Sequence, residues 1–159
     1  MAKNKGKQFE AVVKECLDKA DGVSIDRLRD APRRMKGVDN PSDFIVYKKP
    51  HELYLECKSH KGNTLPFSCI RDEQYKGMQE KAKIEGVLAG VMIWYIDHDA
   101  TVFVPIDEVV RIREEEEAKS INYFQILNRK HIIVHGRKKR TYFDYDMNRF
   151  LEDLFNEHL

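Results

Sequence analysis

Apolar residues recur at helical spacing near both ends of the chain and at strand spacing between them. Phe9, Val12, Val13, Cys16, Leu17 and Ala20 form one helical stripe, Asp21-Gly22 closes it, and Glu10 lies at its edge. Met147, Phe150, Leu151, Leu154 and Phe155 repeat that spacing and predict a last helix. Val23 to Asp30 alternates loosely as a first strand carrying Arg27 and Arg29, and Ala31 to Pro41, with two prolines and a glycine, reads as a loop. Ser42 to Tyr47 and Glu52 to Lys58 alternate as two strands around a Lys48-Lys49-Pro50-His51 loop. His60 to Pro66 is expected to be a second loop, Ile70 to Glu85 a helix with Gln74, Met78 and Ala82 in line, and Gly86 to Ile96 a buried central strand. Thr101 to Val104 pairs back across Asp97 to Ala100, and Ile106 to Lys119 reads as a helix. His131 to His135 and Thr141 to Tyr145 are expected to form a hairpin around Gly136 to Arg140. The order predicts an α/β (α+β) fold with a mixed sheet flanked by helices.

The central hairpin carries the chemistry. Counting outward from its loop sets Tyr47 opposite Glu52 and Asp43 opposite Glu56. One face then holds Phe44, Val46, Leu53, Leu55 and Cys57, a core layer; the other holds Asp43, Glu56 and Lys58. Opposed like charges destabilise a sheet, so a cation is expected between the carboxylates, with Lys58 beside it. Two hard oxygen donors and an ammonium suit Mg²⁺-assisted attack of water on a phosphodiester. Register decides which face carries Asp43, since a one-residue slip would turn it to the other.

Composition narrows the setting. At 159 residues with 42% hydrophobic positions, the chain is expected to be a single domain over 1–159 with a real core. No apolar run approaches a membrane span, and Met1-Ala2-Lys3-Asn4-Lys5 has no apolar signal region behind it. Cys16, Cys57 and Cys69 lack paired metal spacing, which argues against zinc and for reduced thiols in the cytoplasm. The net charge of +1 alone does not point to a polyanion. The signs are segregated, however: basic at Lys3 to Lys7, Arg27 to Lys36 and Arg137 to Arg140, acidic at Glu114 to Glu117. Such a field steers a polyanion even when the sum is near zero. His131 and His135 share a strand, Trp94 and Tyr95 read as core, no serine sits in a nucleophile elbow, and no glycine-rich phosphate loop follows a strand.

Gly6-Lys7-Gln8-Phe9-Glu10, Ser42-Asp43-Phe44, Leu55-Glu56-Cys57-Lys58, Leu65-Pro66-Phe67 and Gln74 follow one another in order over roughly residues 5 to 96. This series resembles the PD-(D/E)xK nuclease superfamily and, within it, the RecU-type Holliday junction resolvases. The text departs from the superfamily in its displaced proline, Pro41-Ser42-Asp43, and in the short segment Asp30 to Asn40 where such resolvases carry a junction stalk. The resemblance implies that Asp43 and Glu56 are metal-binding carboxylates, with the Cys57 carbonyl as a further ligand. It implies that Lys58 orients or helps deprotonate the attacking water, that Glu10 completes the metal site, and that Gln74 braces it. Lys7, Arg27, Arg29, Arg33, Arg34, Lys36, Lys61 and Asn63 are expected to contact nucleic acid, the arginines and lysines through backbone phosphates.

The expectation is therefore a Mg²⁺-dependent endodeoxyribonuclease, with Mn²⁺ as a substitute, that nicks four-way DNA junctions symmetrically in recombination and repair. Two nicks call for two active sites, hence a homodimer. The alternatives are another PD-(D/E)xK repair or restriction-like nuclease, or a non-catalytic DNA-binding, recombinase-regulating protein on the same fold.

Overall fold

The computed structural model describes residues 4–28 and 40–157. Helix α1 (Lys5–Asp18) starts where the Asn4 side chain accepts from the Lys7 N–H, and it buries Phe9, Val13, Cys16 and Leu17. The first strand, β1 (Ser24–Arg27), is followed by the hairpin of β2 (Phe44–Lys48) and β3 (His51–His60). Its register is the expected one: Phe44 pairs with Leu55, Val46 with Leu53 and Tyr47 with Glu52, and the Lys48–His51 pair tightens the turn to Lys49-Pro50. Helix α2 (Asp72–Ala82) then crosses to β5 (Val87–Tyr95), which runs parallel to β3 from Glu52 to His60. A crossover helix is the usual way to join parallel neighbours.

Strand β6 (Ala100–Pro105) returns antiparallel to β5. Gly90 is required at this contact, because a Cβ there would lie 2.4 Å from the Phe103 ring and 2.5 Å from the Val104 carbonyl. The edge strand β8 (Ile132–Ile133) completes a six-stranded mixed sheet ordered β1-β2-β3-β5-β6-β8.

Two apolar layers cover the sheet. Phe44, Val46, Leu53, Leu55, Cys57, Met92 and Trp94 face α1 and the last helix, α5 (Met147–Glu157), whose Phe150 ring lies 5.4 Å from that of Phe103. Tyr54, Val91, Ile93 and Tyr95 face α2 and α3 (Ile106–Val110). Trp94 and Tyr95 are core residues, as expected.

Three elements differ from the sequence reading. Thr64–Pro66 is not loop but a short strand, β4, paired with β7 (Ser120–Asn122); Leu65 and Ile121 are buried, yet three residues are too few to show a period. The helix from Ile106 is regular only to Val110; Arg111–Glu115 widens to a π-turn, and Glu117 takes a left-handed conformation. Four consecutive glutamates at a helix C-terminus oppose its dipole and one another. The hairpin expected from His131 to Tyr145 is split. Val134 donates to the Thr101 carbonyl, which keeps β8 on the main sheet, while β9 (Gly136–Lys138) pairs with β10 (Phe143–Tyr145). A Cβ at Gly136 would meet Tyr145 Cδ1 at 2.9 Å, so only glycine permits this approach.

Candidate active site

Strand β3 carries Glu56 and Lys58 on one face because strand side chains alternate, and the observed register extends one step beyond Phe44 to set Asp43 across from Glu56. Asp43 is pinned twice. The Leu28 N–H donates to its carbonyl at 2.8 Å, and the Cys57 N–H donates to Oδ2 at 2.8 Å, so the carboxylate replaces a ladder acceptor just before β2 begins. The carbonyl of a strand residue points to the same side as its N–H, so the Cys57 carbonyl opens toward Asp43. The Cys57 thiol lies on the opposite, apolar face, and burial pushes its pKa well up, so it is not a ligand.

Glu56 is 1% exposed. Its Oε2 accepts from Gln74 Nε2 at 2.7 Å, and its Oε1 lies 3.4 Å from Lys58 Nζ. Gln74 is itself buried in the first turn of α2, where its Oε1 accepts from the Arg71 N–H at 3.3 Å. Burial and then the Asp43 charge push the Glu56 carboxyl up to about 9, with Lys58 acting in the other direction. With Lys58 alone to offset two carboxyls, the pair favours a proton that a divalent cation would displace, which is how a metal-receptive carboxylate pair behaves.

Glu10 comes from α1 on the other layer. Burial and Asp43 raise its pKa, while Arg27, hydrogen-bonded at 3.1 Å, and Lys58 lower it, so its carboxyl belongs to the same electrostatic group. Among the described residues, no three His, Cys, Asp or Glu side chains gather at metal-binding distances. A cation here would rest on Asp43 and Glu56 and complete its shell with the Cys57 carbonyl and water, which fits a hard-ion oxygen set.

The structure therefore brings together Asp43, Glu56, Lys58, Gln74 and Glu10. Lys7, Arg27, Lys61 and Asn63 are exposed, with Arg27 tied to Glu10. Arg29, Arg33, Arg34 and Lys36, and most of the segment from Asp30 to Asn40, lie outside the described residues. His131 and His135 are half-buried away from the site, with His131 Nδ1 on the Arg129 carbonyl. Sequence reasoning missed two main-chain anchors: the Leu28 N–H that fixes Asp43 and the Arg71 N–H that turns Gln74. Backbone donors leave no mark in side-chain patterns.

No helix among the described residues is long and apolar enough to cross a membrane. Comparison with known proteins finds no match among curated proteins. Among solved structures, Hjc from Archaeoglobus fulgidus, described as a Holliday junction resolvase from an archaeal hyperthermophile, is similar at 24% identity, with a TM-score of 0.48 over 64% of this chain and 78% of that one. The sequence profile of RecU, recombination protein U, matches residues 37–146, a span that holds Asp43, Glu56, Lys58 and Gln74. With more than half of its length matched, the chain belongs to the RecU family, the Holliday junction resolvase family that its motifs resemble.

Proposed function

We propose that this chain is a divalent-metal-dependent endonuclease that acts as a homodimer to nick four-way DNA junctions symmetrically. The observation that carries the chemistry is the Asp43–Glu56 pair, two opposed carboxyls with Lys58 and the Gln74 side-chain amide on Glu56. Asp43 and Glu56, with the Cys57 carbonyl and Glu10 at the margin, would hold Mg²⁺, or Mn²⁺ in its place. Such an ion would supply an activated water and neutralise charge on the scissile phosphate.

Gln74 holds Glu56 Oε2, which leaves Oε1 beside Lys58 and available as the oxygen that would hold a metal. Lys58 orients the attacking water through its ammonium protons and offsets the charge that grows on the phosphoryl oxygens. The water oxygen gives up a proton to solvent and forms a bond to phosphorus as the bond from phosphorus to the bridging oxygen breaks, and the leaving oxygen takes up a proton from solvent. Lys7, Arg27, Lys61 and Asn63 flank the site as DNA contacts, joined in sequence by Arg29, Arg33, Arg34 and Lys36. Two-fold symmetry in the substrate is met by a two-fold protein, one site for each nick.

The test is cleavage of a matched panel: four-way junction, flap, fork, linear duplex and single strand, with Mg²⁺, Mn²⁺ or chelator. Paired nicks at related positions in the four-way junction, dependent on metal, are expected. Equal cutting of linear duplex would replace the junction assignment by a repair or restriction-like nuclease. A single-chain mass in light scattering with and without junction DNA would overturn the dimer.

A further inference from the structure

The strand that carries Glu56 and Lys58 runs on into the loop Lys61 to Asn63, and that loop builds a second surface at the same end of the sheet. The Gly62 N–H donates to Asp97 Oδ2 at 2.7 Å, the Asn63 side-chain oxygen lies 2.6 Å from His98 Nε2, and the Asn63 carbonyl accepts from the Tyr123 N–H at 2.7 Å. These bonds hold three rings together. His98 stacks on Tyr123 with centroids 4.4 Å apart and planes at 18°, and Phe124 closes edge-on at 5.2 Å from His98 and 5.3 Å from Tyr123. The Asn122 side chain accepts from the Phe124 and Gln125 N–H groups and fixes the turn that presents Phe124.

Phe124 is 55% exposed, the most exposed aromatic ring among the described large hydrophobic residues. A single exposed apolar side chain needs no explanation. Here the ring is the tip of a braced stack in a neighbourhood with more cations than acids. Exposed Lys61 belongs to the bracing loop. Lys138 pairs with Asp99 at 2.6 Å and so ties the basic run Arg137 to Arg140, all exposed, to the residue that follows His98. The two acids nearby are occupied, Asp97 by the Gly62 amide and Asp99 by Lys138. Aromatic faces between cations are the chemistry of contact with nucleic-acid bases, since every base has a π-face and every nucleotide a phosphate.

We infer that Phe124, backed by the His98–Tyr123 stack, packs on a DNA base left unstacked at the branch, with Lys61 and the Arg137 to Arg140 hairpin on the adjoining phosphates. This rests on the endonuclease reading for its DNA. It adds a surface outside the metal site that reads interrupted stacking. Glu56 to His60 spans about 13 Å along β3, so at 3.4 Å for each stacked nucleotide the contacted base lies about four nucleotides or more from the scissile phosphate.

The experiment is equilibrium binding in chelator, by fluorescence anisotropy, of four-way junction and of linear duplex to wild type, Phe124→Ala, Phe124→Leu and Phe124→Trp. Phe124→Leu keeps an apolar side chain and guards against misfolding, and Ile84→Ala removes an equally exposed apolar side chain at the far end of α2. Loss of one stacked base is expected to weaken junction affinity about tenfold in the alanine and leucine variants. Duplex affinity should change less than twofold, Phe124→Trp should restore junction binding, and Ile84→Ala should match wild type. A 2-aminopurine placed four to six nucleotides from the nick should be quenched by wild type and not by Phe124→Leu. Junction binding by Phe124→Leu equal to wild type overturns the inference and leaves the endonuclease reading standing. A halved molecular mass for that variant reassigns the surface to a second copy of the chain and also overturns it. A wild type with no preference for junction over duplex overturns both this inference and the junction assignment.

Discussion

Glu56 and Glu108 are the two acidic residues that the described part of the chain buries almost completely, at 1% and 2% exposure. Their surroundings differ in kind. Glu108 receives Arg111 at 2.8 Å on one oxygen and Arg129 at 3.1 Å on the other, so the protein itself supplies the positive charge that this carboxylate needs. Glu56 receives a neutral amide and one ammonium at 3.4 Å, and it faces a second carboxylate. Burial of an unmatched charge is costly. The fold meets this need at Glu108 and leaves it open at Glu56, the position proposed to take a cation from outside.

The sharpest way to break the comparison is to remove each carboxylate. Glu56→Gln and Asp43→Asn should lower metal-dependent cleavage by about a thousandfold or more while junction binding in chelator is retained. Cleavage at the wild-type rate by either variant would remove these residues from the site. Glu108→Gln should do the reverse. Cleavage by the folded enzyme stays at the wild-type level, while urea denaturation shows a loss of about 2 kcal/mol, below the range for a fully buried pair because Arg111 is half exposed.

Acidity offers a second contrast. The folded Glu56 carboxyl is pushed up to about 9 from an ordinary value of 4.5, so at low pH it is buried as the neutral acid with no charge to desolvate. Stability should then fall as pH climbs from about 4.5 toward 9, by at most about 1.4 kcal/mol for each pH unit. Denaturation at pH 5, 7 and 9 in chelator should show this slope in wild type and a flatter one in Glu56→Gln. Mg²⁺ should flatten the wild-type curve as well, and identical slopes in all three would contradict the assigned environment.

The smallest effect is expected at Gln74. Gln74→Leu keeps the volume under α2 but frees Glu56 Oε2, which should slow cleavage about tenfold with DNA affinity unchanged. Single-turnover rates against binding isotherms separate the two, and a change confined to affinity would move Gln74 out of the bracing role.

The hairpin register was legible because alternation over Phe44 to Tyr47 and Glu52 to Cys57 leaves one solution that buries one face. Asp43, Glu56 and Lys58 followed from that count alone. Gln74 did not, since a glutamine at helical spacing looks like surface until α2 is laid across the sheet and buries it; only the family resemblance pointed to it. Strands β4 and β7 escaped because pairing of three-residue segments 56 positions apart leaves no period. The Phe124 surface escaped for a related reason: Asn63, His98 and Tyr123 come from three separate segments, and none is unusual in its own sequence context.

Strand β3 is hydrogen-bonded to β2 on one side and to β5 along nine residues on the other. Its amides should be among the slowest in the molecule to exchange with deuterium, opening only when the whole domain unfolds. An active site mounted on the slowest-exchanging strand keeps its geometry through every local fluctuation, but it cannot reach toward a substrate. Shape change in the complex therefore falls to the DNA, whose arms pivot about the branch at lower cost than continuous duplex bends. Discrimination by such an enzyme is mechanical: the site sets a fixed gauge, and the nucleic acid that deforms to meet it is the one that is cut.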